Sequence, residues 1–413
     1  MDIHVQGKCT LHGTVGISSA KNAILPVLAA ALLAEGTIVL NKIPDINDVK
    51  TMSHLLAELG LVVRRKDDQM EIAGEAKFFQ PPYELVRKIR ASFLVMGPLL
   101  ARYGKATISL PGGCDIGNRP IDLHLKGLKA LGANISFSGG NISATASQLR
   151  GCHIYLDFPS VGATENLLIA ASLAQGTTYI ENAALEPEVV DLARFINSMG
   201  GKISGAGTNL IKIEGVGRLG GTQHTVIPDR IEAGSFMVAA AATGGKVTLT
   251  NVVPEHLKAI SAKLAETGAD IIEQGNTIIV SREKPINPVY IKTLPYPGFP
   301  TDMQAQFMAY LCRARGTSVI SESVFENRFM HVSELERMGA NIKTEGKCAI
   351  IKGTSKLSGS RVKATDLRAG AALIIAALTA SGTSIISDCE HIDRGYENIV
   401  GKLNLLGARI TRV

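Results

Sequence analysis

A cysteine in a short glycine-rich segment is the most reactive group that the sequence suggests. Cys114 stands in the segment 111–120, PGGCDIGNRP, which holds three glycines and two prolines and therefore predicts a loop. Beside Arg119, the thiol would have an altered acidity and could act as a proton donor or as a nucleophile. A surface loop with an incidental thiol stays open as the alternative, because most single cysteines are structural.

Six predicted helices begin with polar or charged residues. These starts are Lys21-Asn22, Arg90 to Ser92, Ser160 to Thr164, Asp229-Arg230, Thr301-Asp302 and Asp366 to Arg368. Helix N-termini carry free N–H groups and partial positive charge, to which Lys21, Arg90, Arg230 and Arg368 add full charges. The pattern favours a cleft between two domains that binds phosphate or carboxylate. Ordinary helix caps and first-turn charges are the alternative.

Two further arginines and one aspartate could take part in such a site. Arg328 and Arg394 follow a strand at corresponding places of two repeated units, and the guanidinium fork suits carboxylate and phosphate. Surface ion pairs with Glu326 and Asp393 are the alternative for these arginines, and such pairs contribute little. Taken alone, Asp302 is interpreted as a helix N-cap.

The sequence does not predict a metal or cofactor site. The nine histidines are scattered, without an HExxH pattern or a Cys/His cluster. There is no Walker loop or dinucleotide-binding fingerprint, so no cofactor is expected. His124 is either a base or a satisfied structural histidine.

Length and composition restrict the class of protein. The chain has 413 residues, of which 46% are apolar and 19% charged, so we expect a globular protein of two or three domains. A net charge of +6 is too small for a dedicated nucleic-acid binder but is compatible with a pocket for a small anion.

The cysteines and the apolar runs indicate a cytoplasmic protein without a membrane partner. No two of the six cysteines lie within four residues of each other, which favours separate thiols in a reducing compartment. The first residues, MDIH, lack the basic and apolar regions of a signal peptide. The longest apolar run, 23–34, has 12 residues and is too short to span a bilayer.

Two sets of glycines recur along the chain with one period of about 69 residues. Each glycine ends a helix-like stretch and precedes a strand-like run, as expected of a left-handed helix C-cap. The first set is Gly36, Gly104, Gly176, Gly245, Gly316 and Gly382, and the second is Gly60, Gly132, Gly200, Gly268, Gly339 and Gly407. The sequence therefore predicts six units, each with the order strand, helix, strand, helix, strand, strand.

The six units predict an α/β protein of two similar domains. The first helix of each unit is apolar all round, as in 23–33 and 369–377, so we expect the helices inside and the sheets outside. The last unit stops one strand short, and the N-terminal strands are expected to complete it. The predicted domains are 21–229, which carries the Cys114 loop, and 1–20 together with 230–413.

Taken together, these motifs resemble the enolpyruvyl transferase family over the whole chain. The resemblance rests on residues 19–22, 110–114, 119–124, 160–164, 299–306, 324–329 and 364–368. It implies an inside-out α/β barrel in two domains that close on their substrates. It also implies transfer of the enolpyruvyl group of phosphoenolpyruvate to the 3′-hydroxyl of UDP-N-acetylglucosamine, with release of phosphate, in the first committed step of peptidoglycan synthesis.

The resemblance also implies roles for individual residues. Cys114 would protonate C3 of phosphoenolpyruvate, and Asp302 would act as the base toward the sugar hydroxyl. The residues implied for phosphoenolpyruvate are Lys21, Asn22, Arg119, Arg328, Arg368 and Arg394, of which Lys21 and Arg394 are also placed in the catalytic set. Those implied for the nucleotide sugar are Asn22, Arg90, Arg119, Pro120, Ile121, Asp122, Leu123, Ser160, Val161, Gly162, Asp302 and Val324.

Two positions depart from the family pattern, and three other functions compete with this one. Ser19 stands where many relatives have Gly, and Phe158-Pro159 where some have Lys, which removes one cationic contact to the nucleotide. The sister transferase of the shikimate pathway would not use a catalytic cysteine, so Cys114 argues against it. The other competitors are a non-catalytic paralogue that binds a sugar nucleotide and a repeat-built protein that binds polyanions, which the low aromatic content of 5% disfavours.

Overall fold

The computed structural model describes residues 2–110 and 121–413 of the chain. Short strands and helices alternate along these two ranges. The strands are β1 (Ile3–Gln6), β2 (His12–Gly16), β3 (Ile38–Asn41), β4 (Val62–Lys66), β5 (Gln69–Ala73), β6 (Lys105–Ser109), β7 (Asn134–Ser138), β8 (Asn141–Thr145), β9 (His153–Tyr155), β10 (Thr177–Glu181), β11 (Lys202–Ser204), β12 (Leu210–Glu214), β13 (Thr222–Thr225), β14 (Lys246–Thr250), β15 (Asp270–Gln274), β16 (Thr277–Ser281), β17 (Tyr290–Lys292), β18 (Thr317–Ser321), β19 (Asn341–Glu345), β20 (Cys348–Lys352), β21 (Arg361–Lys363), β22 (Thr383–Ser387) and β23 (Arg409–Arg412).

The helices connect these strands. They are α1 (Lys21–Ala30), α2 (Asn47–Glu58), α3 (Tyr83–Val86), α4 (Met96–Tyr103), α5 (Asp122–Ala130), α6 (Val161–Ala171), α7 (Pro187–Ser198), α8 (Arg230–Thr243), α9 (Lys258–Glu266), α10 (Gln304–Leu311), α11 (Val332–Arg337), α12 (Leu367–Thr379), α13 (Glu390–Asp393) and α14 (Ile399–Leu405). Short 3₁₀ turns adjoin four of them, at Ala31–Leu33, Arg90–Val95, Pro254–Leu257 and Thr301–Met303. None of the helices in the described ranges is long and apolar enough to cross a membrane.

In the described ranges the strands form six sheets, five of four strands and one of three. The strand orders are β13-β3-β5-β4, β6-β8-β7, β11-β12-β10-β9, β15-β16-β14-β2, β17-β18-β20-β19 and β21-β22-β1-β23. Each four-stranded sheet combines one parallel pair with two antiparallel pairs. The parallel pairs need a crossover connection, and the helices supply it.

The described residues divide into two compact units, one of 2–18 with 228–413 and one of 19–110 with 121–227. Strands near the N-terminus belong to the first of these, because β1 lies between β22 and β23 and β2 runs parallel to β14. In exchange, β13 runs parallel to β3 in the second unit. The described part of each unit therefore holds three sheets.

The helices α1, α6, α8, α10 and α12 are buried on nearly all sides within their units. In the unit of 228–413, α8, α10 and α12 pack against one another. Glycines also let neighbouring segments approach these helices closely. A Cβ on Gly234 of α8 would stand 2.9 Å from Met303 Sδ in the 3₁₀ turn before α10, and one on Gly370 of α12 would stand 2.4 Å from Ile392 Cγ1 in α13. The strands alternate buried and exposed residues, so each sheet covers this helical core with one face.

The second repeat departs from the predicted order of elements. Residues 74–82, all of which the structure describes, contain no strand before the helical segment. Pro81 and Pro82 lack the N–H groups that a strand ladder requires, and one backbone bond, from Thr107 N to Phe79 O at 2.8 Å, takes the place of a ladder. The prediction of a first strand in every unit was therefore wrong here.

Candidate active site

Asp302 lies between two buried arginines at the start of α10. Its Oδ1 accepts a hydrogen bond from Arg328 Nη2 at 2.7 Å, and its Oδ2 accepts one from Arg368 Nη2 at 2.9 Å. The arginine side chains are 3% and 5% exposed, whereas that of Asp302 is 24% exposed. Asp302 stands inside the 3₁₀ turn rather than at a helix N-cap, so the cap interpretation was wrong. The surface pair considered for Arg328 was also wrong, because this arginine is buried.

The local structure of α12 explains how Arg368 reaches Asp302. Asp366 caps the helix, and its Oδ1 accepts the N–H groups of Arg368 and Ala369 at 2.8 and 3.1 Å. The guanidinium lies 5.5 Å from the centre of the Tyr396 ring. Burial lowers the pKa of Arg368, but the negative charge of Asp302, together with contributions from Tyr396 and Asp229, holds the pKa above its usual value. Arg368 is therefore a permanent cation.

Arg328 reaches the same carboxylate from the turn that follows β18. Its guanidinium lies 5.4 Å from the centre of the Phe325 ring. His331, which is 1% exposed, ends this turn. Desolvation, with a contribution from the charge of Arg328, lowers the pKa of His331 to about 4. The imidazole is therefore neutral near pH 7, and the positive charge at this end of the turn belongs to Arg328.

Arg394 follows the short helix α13 and is half-buried. The neighbouring Asp393 binds Arg412, with both carboxylate oxygens accepting from the guanidinium at 2.6 and 2.7 Å. This pair is partly exposed, at 30% and 31%, and joins α13 to β23. Asp393, the partner that sequence reasoning offered for Arg394, is therefore already held by another arginine.

In the unit of 19–227, Lys21 is held at the first residue of α1. Its Nζ lies 2.7 Å from Oδ2 of Asp48, which stands in the first turn of α2, and both side chains are largely buried. Asn22 is the next residue of α1. The ion pair fixes a full positive charge at a helix N-terminus, where the helix dipole already favours an anion.

A neutral polar network adjoins Arg90 in the same unit. His124 Nδ1 lies 3.1 Å from the amide nitrogen of Asn166, whose oxygen accepts the N–H of Gly97 at 2.9 Å. Desolvation and the charge of Arg90 lower the pKa of His124 to about 3. A group with this pKa is almost never protonated near pH 7 and is a poor match for a general base. The structure therefore favours the structural role of His124.

The remaining predicted residues of this unit lie at two helix starts. Ser160 caps α6 and accepts the N–H of Ala163 at 3.4 Å, and Val161 is the first residue of that helix. A Cβ on Gly162 would lie 3.3 Å from the His124 ring, so glycine leaves room for the imidazole. The first residues at α5 are Ile121, Asp122 and Leu123.

Three predicted site residues, Cys114, Arg119 and Pro120, lie outside the described residues. Within the described ranges, no group of three or more His, Cys, Asp or Glu residues could hold a metal ion. Sequence reasoning missed Asp48, Asn166 and Tyr396 as partners of predicted site residues. Each lies on an element distant in sequence from its partner, so no local pattern could have revealed the pairing.

Solved structures show the fold class. The enolpyruvyl transferase NikO from Streptomyces tendae superposes with a TM-score of 0.90 at 24% identity, covering 99% of this chain and 98% of that chain. An EPSP synthase from Acinetobacter baumannii gives a TM-score of 0.76 at 20% identity, with both chains covered completely. These likenesses define an α/β fold shared with enolpyruvyl transferases.

Sequence comparisons show the family. The model described as EPSP synthase (3-phosphoshikimate 1-carboxyvinyltransferase) matches residues 5–403, so the chain belongs to the enolpyruvyl transferase family. UDP-N-acetylglucosamine 1-carboxyvinyltransferase 2 of Carboxydothermus hydrogenoformans is 58% identical over 412 residues, which cover 99% of this chain and 98% of that protein. UDP-N-acetylglucosamine 1-carboxyvinyltransferase 1 of Caldanaerobacter subterraneus subsp. tengcongensis is 58% identical over 402 residues, which cover 97% of both.

Proposed function

We propose that this chain transfers the enolpyruvyl group of phosphoenolpyruvate to the 3′-hydroxyl of UDP-N-acetylglucosamine and releases phosphate, the first committed step of peptidoglycan synthesis. The observation that carries the proposal is 58% identity, over 99% of the chain, to a UDP-N-acetylglucosamine 1-carboxyvinyltransferase. The cations held near Asp302 and at the start of α1 suit the reaction, because phosphoenolpyruvate bears about three negative charges near neutrality.

Two residues carry the proton transfers in this proposal. The sugar hydroxyl adds to C2 of phosphoenolpyruvate and gives its proton to Asp302, while the Cys114 thiol delivers a proton to C3. Loss of phosphate from C2 and of a proton from C3 then restores the double bond in the product. A carboxylate has about four acceptor positions, so the contacts of Asp302 with two guanidinium groups do not by themselves prevent it from taking a proton.

The remaining residues bind the two substrates. Lys21, Arg119 and Arg394 hold the phosphate, Arg328 and Arg368 hold the carboxylate and the charge of the adduct, and Asn22 lies beside Lys21. The nucleotide sugar contacts Asn22, Arg90, residues 119–123, residues 160–162, Asp302 and Val324. The unit of 228–413 contains Asp302, Val324, Arg328, Arg368 and Arg394. The unit of 19–227 contains Lys21, Asn22, Arg90, residues 121–123 and residues 160–162.

The fold is proposed to be an inside-out α/β barrel built from six repeats of about 69 residues in two similar domains. The six sheets of the described ranges, three in each compact unit, support this reading. The domain boundaries at residues 20/21 and 229/230 are part of the same proposal. A cytoplasmic location follows from the substrates, which are cytoplasmic metabolites, and no nucleic acid, membrane or cofactor is needed for the reaction.

The test is phosphate release from phosphoenolpyruvate with either UDP-N-acetylglucosamine or shikimate 3-phosphate as the acceptor. We expect release with the nucleotide sugar alone, and the enolpyruvyl product is identified by mass spectrometry. Release with shikimate 3-phosphate alone would assign the chain to the sister branch of the family. Release with neither acceptor would indicate a catalytically silent paralogue.

The proposed role of Cys114 gives a second test. A phosphoenolpyruvate-like epoxide should alkylate the wild-type chain once, at Cys114, and the Cys114→Ser variant should not react. The described cysteines provide internal controls, because burial raises the pKa of Cys312 to about 12 and that of Cys389 to about 11, so both are poor nucleophiles. An adduct found by peptide mass spectrometry on any of the other cysteines would contradict the assignment.

A further inference from the structure

Glu322 is a buried carboxylate that none of the proposed steps uses. It follows β18 directly and is 1% exposed. Its Oε1 accepts hydrogen bonds from Thr293 Oγ1 at 2.7 Å, from Val324 N at 2.8 Å and from Phe325 N at 3.2 Å. Its Oε2 accepts one from Thr301 Oγ1 at 2.8 Å.

These four bonds connect the two segments that carry Asp302 and Arg328. Thr301 immediately precedes Asp302 in the 3₁₀ turn, so the bond to Oε2 fixes the carboxylate-bearing turn. Val324 and Phe325 begin the turn that leads to Arg328, and the Phe325 ring lies against that guanidinium. One carboxylate therefore sets the spacing between the turn of Asp302 and the turn of Arg328.

A carboxylate in this position requires a specific reason, because burying it without compensation is unfavourable. The observed partners are two hydroxyl groups and two backbone N–H groups, which are neutral donors. A carboxylate accepts about four hydrogen bonds, which equals the number of donors present here. The residue type thus matches the number of donors that meet at this point.

We propose that Glu322 is a positioning residue for the transfer reaction, holding Asp302 and Arg328 in the geometry that the reaction needs. The inference rests on the proposed function. Glu322 acts through Thr301 on one side and through the backbone of Val324 and Phe325 on the other. Through Thr301 it acts on the turnover step, at which Asp302 takes the proton, and through Val324 and Phe325 it acts on the binding of phosphoenolpyruvate by Arg328.

Two threonines on opposite sides of Glu322 provide a matched pair of variants. Thr301→Val removes the single bond to Oε2, next to Asp302. Thr293→Val removes the bond to Oε1 and also the acceptor of Ser323 N, at 2.9 Å, at a fully buried residue that is not adjacent to Asp302 in sequence. A purely structural role predicts the larger effect for Thr293→Val on both stability and turnover, because that variant loses more hydrogen bonds.

We expect the variant with the larger loss of kcat to be the one with the smaller loss of stability. Thr301→Val should lower kcat about tenfold while KM for phosphoenolpyruvate changes less than about twofold, since a small displacement of a reacting group is costly. Thr293→Val should lower the urea midpoint of unfolding more than Thr301→Val but retain the higher kcat. Phosphate-release kinetics with UDP-N-acetylglucosamine and urea unfolding measure both quantities on the full chain.

Substitution of Glu322 itself gives a rescue test. Glu322→Gln keeps Oε1 for three donors and places Nε2 against Thr301, whose hydroxyl can turn to accept. We expect kcat within about threefold of wild type for Glu322→Gln and about a hundredfold loss for Glu322→Ala. If Glu322→Ala does not fold, the threonine pair still decides the question.

The outcomes separate this inference from the proposed function. An active wild type with equal kcat losses in Thr301→Val and Thr293→Val, or with losses that follow the urea midpoints, would overturn the role of Glu322 alone. A wild type inactive with UDP-N-acetylglucosamine would overturn the proposed function and this inference with it. The larger loss of kcat with the smaller loss of stability in Thr301→Val, together with rescue by Gln, would support both.

Discussion

Two buried polar regions of this chain differ in the charge state of their titratable side chains. Around Asp302, the charges are kept and paired, since the carboxylate accepts from Arg328 and Arg368. Around His124, the imidazole is kept neutral, since desolvation and the charge of Arg90 lower its pKa to about 3 and its partner is the neutral amide of Asn166. The first region keeps full charges that can interact with an anion, whereas the second keeps its histidine in the neutral form.

This difference has a consequence for substrate binding. The phosphate or carboxylate of a substrate can replace the carboxylate of Asp302 as the partner of an arginine. Both provide oxygen acceptors that match the guanidinium fork. We therefore expect the region of Asp302 to change partners when an anionic substrate binds. The neutral imidazole of His124 has no charge to exchange with an anion, so we expect its contact with Asn166 to stay the same.

The largest effect should come from removing one charge of the paired region. Arg368→Met keeps an apolar stem of similar length but leaves Asp302 with one guanidinium fewer and removes a cation from the proposed substrate site. We expect kcat/KM to fall by about 10²–10³-fold, the cost of losing one well-placed donor to a developing charge. Phosphate release with UDP-N-acetylglucosamine measures the loss.

Arg412→Met is the matched control, because Arg412 also binds an aspartate with its guanidinium but at a partly exposed place. We expect its kcat/KM within about twofold of wild type, as for a surface pair of small energetic weight. Equal losses in the two variants would mean that the paired charges around Asp302 have no special role in turnover.

The neutral state of His124 should make the free energy of unfolding depend on pH. The pKa of His124 is about 3 in the folded chain and near 6.5 in the unfolded chain, so below pH 6.5 the unfolded state binds more protons. The stability that the neutral ring contributes is therefore present above pH 6.5 and is lost as the pH falls toward 3. At pH 5 this loss amounts to about 2 kcal/mol.

The measurement is urea unfolding of wild type and His124→Gln at pH 7.5, 6 and 5. The stability gap between the two proteins should shrink as the pH falls, because the variant has no imidazole to protonate at this place. His331, whose pKa is also lowered, to about 4, titrates in both proteins and cancels in the difference. A gap that stays constant from pH 7.5 to 5 would show that His124 is not held neutral by its surroundings.

The charged region was the easier of the two to predict from the sequence. Arg328, Arg368 and Asp302 stand in polar helix starts and turns that recur with the repeat, so their side chains could be assigned to one kind of site. Their mutual pairing could not be predicted, because it depends on α12 and the turn after β18 meeting at the start of α10. Glu322 was missed for the same reason, since two of its donors, Thr293 and Thr301, lie more than 20 residues before it in the chain.

The fold shows a similar division. The glycine period predicted helix ends that the structure contains, with Gly60, Gly132, Gly200, Gly268, Gly339 and Gly407 all at positive φ. In the other set, Gly104, Gly176, Gly316 and Gly382 also have positive φ, but the left-handed conformation predicted for Gly36 and Gly245 was wrong. At the end of α8 the preceding residue, Gly244, takes that conformation. The pairing of β1 with β22 and β23 agrees with the expectation that the N-terminal strands complete the last unit. The absence of a strand at 74–82 could have been predicted from Pro81-Pro82. The prediction failed because the order of elements in the repeat was applied to this unit without regard to these prolines.

The smallest effect should come from the exposed pair of Asp393 and Arg412. This pair has the same chemistry as the pairs of Asp302 but is more exposed, so it tests the contribution of burial. This pair has two bonds of 2.6 and 2.7 Å, as short as those of Asp302, but both side chains are about a third exposed. Asp393→Asn should therefore lower the free energy of unfolding by only about 0.5 kcal/mol, since solvent screens an exposed pair. Urea unfolding measures this, and phosphate release should stay within about twofold of wild type. A tenfold loss of kcat without a change in the urea midpoint would instead show that Asp393 orients its neighbour Arg394. In that case an exposed pair would position a substrate-binding residue just as the buried one does, and burial would not be what separates the two.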